Sequence, residues 1–230
     1  MKIEVLSSSS AGNAYIVTDG TTTLLLEAGL PWKLIQEKSG FRKIDAVFIS
    51  HQHMDHAKGL LTAATFGIDI YTSKAVIDGL KTKRYNVMAV KSMQQFKVGT
   101  FVIMPFDVEH DVECYGYLIY SETTRKKLVF ITDTCYCRHT FKDVNYWLLE
   151  CNHARDIIDR NVRDGIIPQS LRNRIVKSHM SLDTLKKLLQ ANDLSKTEEI
   201  WLIHLSGTNA DPARFKDEVQ RCTGKAVYLA

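Results

Sequence analysis

The sequence predicts an α/β (α+β) protein in which two β-sheets pack together and carry helices on their outer faces. Three observations lead to this expectation. The first half of the 230-residue chain reads as short apolar runs broken by turn residues, whereas helices alternate with strands in the last third. The composition, with 45% hydrophobic and 24% charged residues, is ordinary for a globular protein. The length suits one large domain, so we expect residues 1–230 to form a single domain.

Apolar runs bounded by turn residues predict the strands. In chain order these are Lys2–Leu6, Ala14–Thr18, Thr23–Glu27, Ala46–Ser50, Ile68–Thr72, Gln95–Val98, Thr100–Pro105, Tyr117–Tyr120, Leu128–Ile131, Tyr146–Cys151, Ile200–His204 and Ala226–Leu229. Helical periodicity, capping residues and first-turn prolines predict the helices. These are Pro31–Lys38, Ser73–Leu80, Arg155–Arg163, Pro168–Lys177, Leu182–Ala191 and Asp211–Cys222. Between the first two strands, SSSSAGN predicts a loop rich in hydroxyls that can expose backbone N–H groups.

Composition also limits the location and the partners of the chain. Five cysteines at uneven spacing argue against a disulfide framework and for a reducing compartment. The opening MKIEVLSSSS has too short an apolar stretch for a signal peptide, and no run is long enough to span a membrane. We therefore expect a soluble, cytoplasmic protein with no membrane partner. The net charge of +4 permits a nucleic-acid partner without requiring one.

The strongest functional signal is the segment HQHMDH, which directly follows the apolar run AVFIS. His51 and His53, two residues apart, can point to one side of an extended loop and chelate one metal ion. Asp55 and His56 come as the chain turns and can serve a second ion nearby. Three imidazoles and a carboxylate suit zinc, manganese or iron better than calcium or magnesium. The alternative is a polar surface loop that binds nothing.

Three more potential metal ligands stand where predicted strands end. His110 lies in FDVEHD, Asp133 in VFITDT and His204 in IWLIHLS. A lone histidine after a strand is more often structural, but in a chain that already holds HQHMDH these residues become candidate ligands. Two cations about 3.5–4 Å apart require a bridging carboxylate, which Asp133 is placed to supply.

Together these motifs resemble the metallo-β-lactamase superfamily, and the similarity spans nearly the whole chain. The segments SSSSAGNAYIV, LLLEAGL, EHDVECYGYLI, LLECNH and RNRIVKSHMS narrow the resemblance to the YycJ/WalJ-like branch, which is related to ribonuclease Z and ribonuclease J. The resemblance implies a metallo-β-lactamase αββα sandwich, with two mixed β-sheets, helices on the outer faces and a metal site along one edge of the sheets.

The resemblance also implies two divalent metal ions, zinc or manganese, with iron as a further candidate. The first ion would take His51, His53 and His110, and the second Asp55, His56 and His204, with Asp133 bridging both. Superfamily members that reduce oxygen or nitric oxide carry Glu at the position of His53, so this histidine favours hydrolysis over redox chemistry.

Two residues outside this ligand set point to a phosphodiester substrate. Ribonuclease Z-like enzymes place an acidic residue after a strand, and a later histidine near a helix start, to assist at the scissile phosphate. Glu150 in LLECNH and His179 in SHMSLDTL match that order. The histidine can protonate a leaving alkoxide while the carboxylate holds its orientation, so Glu150, His179 and Asp55 are the catalytic candidates. A satisfied structural Glu–His pair is the alternative, and His153 is open between lining the site and a structural role.

The segment between Glu150 and His179 leans basic. Arginines can bind phosphate groups bidentately, and the alternative is a solvated helix face with internal ion pairs. Candidate substrate contacts are His153, Ser9, Ser10, Arg172 and Arg174.

Three departures from the superfamily pattern stand out. Glu27 replaces the usual Asp, and its effect on the histidine cluster is open. Cys135 and Cys137 lie close to Asp133, but we expect reduced thiols that do not ligate a metal. The chain has no room for the inserted domain of ribonuclease J-like enzymes and no Gly/Pro-rich tRNA-gripping arm, so tRNA maturation is not expected.

The sequence therefore predicts a metal-dependent hydrolase, a phosphodiesterase or nuclease. Two metal ions would lower the pKa of a bridging water to near neutrality and supply hydroxide. The YycJ-like resemblance favours DNA over RNA as substrate and exonucleolytic action from the 5′ end. The main alternative is a small-molecule hydrolase that acts on a cyclic phosphodiester, thioester or lactone. A metal-stabilised binding module and an oxygen-reducing diiron protein are further alternatives, and the oligomeric state is open.

Overall fold

The computed structural model describes residues 1–230, which form two mixed β-sheets and eight helices. The strands are β1 (Lys2–Ser7), β2 (Ala14–Thr18), β3 (Thr23–Leu26), β4 (Ala46–Phe48), β5 (Asp69–Thr72), β6 (Val87–Ala89), β7 (Phe96–Val98), β8 (Phe101–Val108), β9 (Cys114–Ser121), β10 (Lys127–Ile131), β11 (Tyr146–Glu150), β12 (Glu199–Ile203) and β13 (Ala226–Leu229). The helices are α1 (Trp32–Lys38), α2 (Met54–Ala57), α3 (Leu60–Thr65), α4 (Lys74–Leu80), α5 (Arg155–Arg163), α6 (Gln169–Ser178), α7 (Leu182–Gln190) and α8 (Pro212–Thr223). One sheet has the strand order β1-β2-β3-β4-β5-β6 and the other β13-β12-β11-β10-β9-β8-β7.

The chain divides into two compact units, of which the first comprises residues 1–107 and 112–126. Its six-stranded sheet changes direction at β3, since β1, β2 and β3 pair antiparallel while β3, β4, β5 and β6 pair parallel. Buried apolar side chains of β4 and β5, among them Val47 and Ile70, pack with Ile35 of α1 and Leu60 of α3. The carboxyl ends of the parallel strands β3 and β4 therefore lie side by side on this packed layer, and Leu26 pairs with Phe48 there.

The second unit comprises residues 108–111 and 127–230. Its strands β10, β11, β12 and β13 are all parallel neighbours, as expected for strands that alternate with helices. The central strands are almost wholly buried, which explains their continuous apolar runs such as YWLLE in β11. Because the strands are parallel, their carboxyl ends meet at one edge, and polar residues that follow them are brought together there.

The predicted elements are all present, with ends that shift by a few residues, and three further short elements were not predicted. Helices α2 and α3 and strand β6 span only four, six and three residues. Runs this short are below the length at which periodicity identifies an element. None of the helices is both long and apolar enough to cross a bilayer.

A partly buried polar cluster connects the β2–β3 turn of the first unit to β8 and β9. The carboxylate of Asp19 accepts hydrogen bonds from the hydroxyls of Thr100 at 2.6 Å and Ser121 at 2.8 Å. It also accepts the backbone N–H groups of Thr21 and Thr22, each at 3.0 Å. Burial alone would raise the pKa of Asp19, but these donors outweigh it and lower the pKa to about 2.

We expect Asp19→Asn to lower the free energy of unfolding by about 1 kcal/mol at neutral pH, a value reduced for solvent screening. Since the folded-state pKa lies below the unfolded value of 3.8, the stabilisation is complete above pH 4 and is lost as the pH falls towards 2. Urea unfolding of both proteins at neutral and acidic pH measures this. A stability difference that does not shrink in acid would contradict the prediction.

Candidate metal centre

The HQHMDH segment of the first unit runs from the end of β4 into α2. His53 is the residue before the first turn of α2, and Asp55 and His56 lie within that turn. The short helix gathers the rings, because the His51 ring centroid lies 4.6 Å from that of His53 and 4.3 Å from that of His56. His51 and His56 are fully buried, whereas His53 and Asp55 are partly exposed. Four side chains of types that can bind a metal thus lie in one short segment after a strand end.

Glu27, directly after β3, holds the HQHMDH segment in place through contacts with Ser50 and His56. Its fully buried carboxylate accepts the backbone N–H of Ser50 at 3.2 and 3.3 Å, and its Oε2 lies 3.6 Å from Nδ1 of His56. Ser50 in turn places its hydroxyl 2.8 Å from Nδ1 of His51. Glu27 adopts φ of 64°, a left-handed conformation that costs a non-glycine residue free energy. Although Glu is one methylene longer than the Asp usual at this position, its carboxylate still contacts Ser50 and lies close to His56.

Asn13, which the sequence did not single out, is a further support. It is fully buried, and its Nδ2 donates to the carbonyl of Asp55 at 3.2 Å and lies 3.2 Å from Nε2 of His56. Its Oδ1 accepts from the hydroxyl of Tyr15 at 3.0 Å. The only sequence signal was its place at the end of the SSSSAGN loop. Because its partner Asp55 is far along the chain, the contact requires the folded structure.

Gly29 allows the loop after β3 to lie directly against the base of α2. A Cβ at this position would stand 1.7 Å from the carbonyl oxygen of Asp55 and 2.5 Å from the backbone N of Asn13. The same backbone atoms form a hydrogen bond of 2.8 Å, so neither can move without breaking it.

We therefore expect Gly29→Ala to displace the segment that carries Asp55 and to lower the free energy of unfolding by about 3 kcal/mol. Bound metal should fall with it. Urea unfolding and metal analysis of the purified variant measure both, with Gly207→Ala as a control, since a Cβ there would meet no atom within 4 Å and the backbone φ is not in the left-handed region. Equal stability and metal content in the two variants would contradict this expectation.

The parallel strands of the second unit bring the side chains of Asp133, Glu150 and His204 to one edge of the sheet. Glu150 is the last residue of β11 and pairs with Ile203, so His204 follows immediately on the neighbouring strand. Asp133 follows β10 by two residues. Asp133 and His204 adopt φ of 47° and 52°, so the chain turns sharply there into the left-handed region. Such strained turns at strand ends are a recurring feature of functional sites.

The side chains at this edge form one hydrogen-bonded cluster. Nδ1 of His204 lies 2.7 Å from Oδ1 of Asp133 and 2.9 Å from Oε1 of Glu150, and Nδ1 of His179 lies 2.7 Å from the same Glu150 oxygen. The donor atoms of Asp133, Glu150, His179 and His204 all lie within 4.8 Å of one another. Asp133, Glu150 and His204 are almost completely buried, and His179 is more accessible. This geometry is one that can hold a divalent cation.

Glu150 organises the cluster. Its second oxygen, Oε2, accepts the backbone N–H groups of Thr134 at 3.1 Å and Met180 at 2.9 Å. Burial by itself would raise the pKa of Glu150, but the charge and hydrogen bond of His179 and the hydrogen bond of His204 hold it below its ordinary value. Burial opposes protonation of His179, whereas the charge of Glu150 and its hydrogen bond raise the pKa of that imidazole. The pair is a carboxylate that orients a basic imidazole.

His110 also belongs to the second unit. Its Nδ1 lies 3.2 Å from the backbone carbonyl of Ser178, which orients the ring, and its Nε2 lies 4.0 Å from Oδ2 of Asp133. Asp111 lies 3.1 Å from the same nitrogen. A histidine whose one nitrogen meets a carbonyl and whose other faces carboxylates has the usual arrangement of a metal ligand.

The candidate substrate contacts differ in how they are held. His153 is 1% exposed and lies three residues after Glu150, and burial lowers its pKa to about 4. Nε of Arg172 pairs with Asp159 at 2.9 Å, whereas Arg174 is exposed. Ser9 and Ser10 lie in the β1–β2 loop of the first unit, where the Ser9 hydroxyl accepts the N–H of Ala11 at 3.2 Å. Cys135 and Cys137 are free thiols whose pKa is raised chiefly by burial.

Imidazoles and carboxylates at this density fit zinc, manganese or iron and supply no thiolate ligand. The sequence matches the family described as the beta-lactamase superfamily domain over residues 16–205. The chain therefore belongs to the metallo-β-lactamase superfamily, which contains metal-dependent hydrolases. This membership confirms the predicted family and the predicted class of enzyme.

Two relatives and one solved structure refine the comparison. The chain is 28% identical over 228 residues to the exodeoxyribonuclease WalJ of Streptococcus pneumoniae serotype 2, covering 90% of this chain and 82% of that protein. It is 26% identical to the exodeoxyribonuclease YycJ of Bacillus anthracis, covering 91% of this chain and 84% of that one. The metallo-beta-lactamase fold protein YhfI from Bacillus subtilis superimposes with a TM-score of 0.76 at 21% identity, covering 99% of this chain and 95% of that one. The predicted metallo-β-lactamase fold is thereby confirmed.

Proposed function

We propose that this protein is an exonuclease that cleaves phosphodiester bonds of DNA from the 5′ end, with residues 1–230 acting as one catalytic domain. The observation that carries the proposal is the buried Glu150, whose Oε1 meets both His179 and His204. An imidazole held in this way beside metal-ligating groups suits protonation of a leaving alkoxide. The two relatives named as exodeoxyribonucleases support DNA as the substrate.

The proposed metal ligands are those that the family resemblance implies, and the potential metal-binding side chains of the two units support them. His51, His53 and His110 would hold one ion, and Asp55, His56 and His204 a second, with Asp133 shared between them. Zinc or manganese would occupy the sites, and iron has the same ligand preference. When bound, the two ions would supply Lewis acidity towards a phosphate oxygen and lower the pKa of water.

The remaining chemistry belongs to side chains of the protein. Asp55, the partly exposed carboxylate of its cluster, would hold a proton of the attacking water. His179 would give its proton to the departing oxygen. Glu150 would keep the His179 ring in place and stabilise its protonated form.

Substrate contacts are proposed from position and, except for His153, from exposure. His153 is buried three residues after Glu150, and Arg172 is partly exposed while its Nε pairs with Asp159. Arg174 is exposed on α6, and Ser9 and Ser10 offer hydroxyls from the β1–β2 loop. These groups can donate to phosphate oxygens.

A digestion assay of the purified protein with manganese and with zinc tests the proposal. The substrates are single- and double-stranded DNA and RNA, labelled at the 5′ or the 3′ end. We expect metal-dependent cleavage of DNA that releases the 5′ label first and that is lost in His179→Ala. Turnover should fall steeply as salt rises, since phosphate contacts displace counterions.

The controls separate the alternatives. His139→Ala removes a partly exposed histidine of the same unit whose ring lies beside Phe141, with centroids 6.5 Å apart, and the variant should cleave like the wild type. Hydrolysis of a small phosphodiester, thioester or lactone with no cleavage of any polymer would favour a metabolite hydrolase. Cleavage that survives removal of all metal would refute both.

A further inference from the structure

The helical hairpin α5–α6 of the second unit carries an unusual distribution of charge. Six cationic and three acidic side chains lie between residues 155 and 177. Two of the acids are neutralised by arginines, since Asp159 pairs with Arg172 at 2.9 Å and Asp156 pairs with Arg214 of α8 at 2.6 Å. Only Asp164, at the end of α5, keeps its charge without such a partner.

The remaining cations are exposed and make no ion pair. They are Arg155, Arg160, Arg163, Arg174 and Lys177. Arg160 and Arg163 are three residues apart on α5, and Arg174 and Lys177 are three apart on α6, so each pair shares a helix face. Asp159 neutralises only one cation of the hairpin, Arg172, and Asp156 pairs with Arg214 outside it. The free charge of the hairpin is therefore almost wholly positive.

This hairpin is adjacent in sequence to the catalytic candidates Glu150 and His179. Helix α6 ends at Ser178, and the next residue is His179, whose ring lies against Glu150. Helix α5 begins five residues after Glu150. The positive charge of the hairpin also acts on His153, which lies between Glu150 and α5. Burial is the main cause of the lowered pKa of His153, and the charges of Arg155 and Arg172 lower it further.

We infer that the exposed cations of α5 and α6 form a track that holds the DNA strand on the 3′ side of the phosphate being cleaved. A ten-residue helix is about 15 Å long. Along the axis of a duplex, the phosphates of one strand succeed one another about every 3.4 Å, so a helix of this length spans several of them. The inference rests on the proposed function. It adds which surface of the protein holds the substrate and on which side of the scissile phosphate the held strand lies.

The polarity follows from the proposed reaction. An enzyme that removes nucleotides from the 5′ end leaves the uncleaved strand on the 3′ side of the scissile phosphate. That strand must be held beside the active site, and the hairpin that begins and ends next to Glu150 and His179 offers the positive surface.

The test compares two variants with the same change in net charge. The first replaces Arg160, Arg163, Arg174 and Lys177 by Gln. The second, as control, replaces four exposed lysines of the same unit by Gln, namely Lys142, Lys187, Lys196 and Lys216. Steady-state kinetics use 5′-phosphorylated single strands of increasing length and bis(p-nitrophenyl) phosphate, at several salt concentrations.

For wild type and control we expect kcat/KM to rise with strand length until several phosphates lie on the 3′ side. For the track variant we expect KM for long strands to rise at least about tenfold and the length dependence to disappear. The slope of log kcat/KM against log salt should flatten by about two to four. Turnover of bis(p-nitrophenyl) phosphate should be equal in all three proteins, which separates the track from the reaction itself.

Two results would overturn the inference: identical kinetics for track variant and control, or equal losses on DNA and on the small diester. Because arginines near the end of α5 also stabilise the helix, unfolding midpoints are measured, and Arg174→Gln with Lys177→Gln serves as a milder variant. If the wild type cleaves no DNA, the proposed function fails. Fluorescence anisotropy of the same strands then decides the track separately, and equal affinity of track variant and control refutes it.

Discussion

Asp133→Asn is expected to abolish turnover, with kcat falling by at least about a thousandfold. The carboxylate of Asp133 is 2% exposed, and its Oδ1 lies 2.7 Å from Nδ1 of His204 and accepts the Thr132 hydroxyl at 3.0 Å. An amide keeps the size and one acceptor but lacks the negative charge that the two proposed cations would require. A loss of several kcal/mol in transition-state stabilisation corresponds to about three orders of magnitude in rate or more.

The fold should survive this substitution, which makes the result interpretable. Asp133 has φ of 47°, and Asn is among the few residues that adopt this left-handed conformation readily. We therefore expect an unfolding midpoint close to that of the wild type without metal, and bound metal reduced from two ions per chain. Metal analysis and single-turnover kinetics measure both. Asp217→Asn removes an exposed carboxylate paired with Arg221 and should change neither. A variant with full metal content and full turnover would refute the proposed bridging role.

The strand ends explain why much of the site could be predicted from the sequence. His51, Asp133, Glu150 and His204 stand at or just after the ends of buried apolar runs, and in the second unit the parallel strands bring Asp133, Glu150 and His204 to one edge of their sheet. The apolar runs were readable because the strands are buried on both faces. The α2 helix was not readable, because four residues are too few for helical periodicity and His53 makes no capping side-chain hydrogen bond.

The hydrogen bonds that hold the site residues in place could not be predicted, because they connect residues that are far apart in the sequence. Asn13 reaches the carbonyl of Asp55, 42 residues further on, and Glu150 accepts the N–H of Met180, 30 residues further on. Nothing local in the sequence distinguishes these contacts from ordinary loop hydrogen bonds. The same holds for the pairing of Asp159 with Arg172, which decides how much free positive charge the α5–α6 hairpin presents.

Glu150→Gln is expected to have the second large effect, and on both stability and rate. The carboxylate meets four donors: the imidazoles of His179 and His204 at Oε1, and the backbone N–H groups of Thr134 and Met180 at Oε2. An amide has a single acceptor oxygen, so two donors must face its NH₂ group. In a fully buried site we expect a loss of about 2–4 kcal/mol in the free energy of unfolding.

The rate should fall for a separate reason. With Glu150 neutral, the His179 imidazole loses both its orientation and the charge that raises its pKa, so a smaller fraction of it carries the proton that the leaving oxygen needs. We expect kcat to fall by about 10²–10⁴. A substrate with a good leaving group needs little proton donation, so bis(p-nitrophenyl) phosphate should lose much less than DNA. Urea unfolding and the kinetics of both substrates measure these effects, with the exposed Glu122→Gln as control. Equal losses on both substrates would assign Glu150 a purely structural role, because a defect in folding or metal binding acts on every substrate alike.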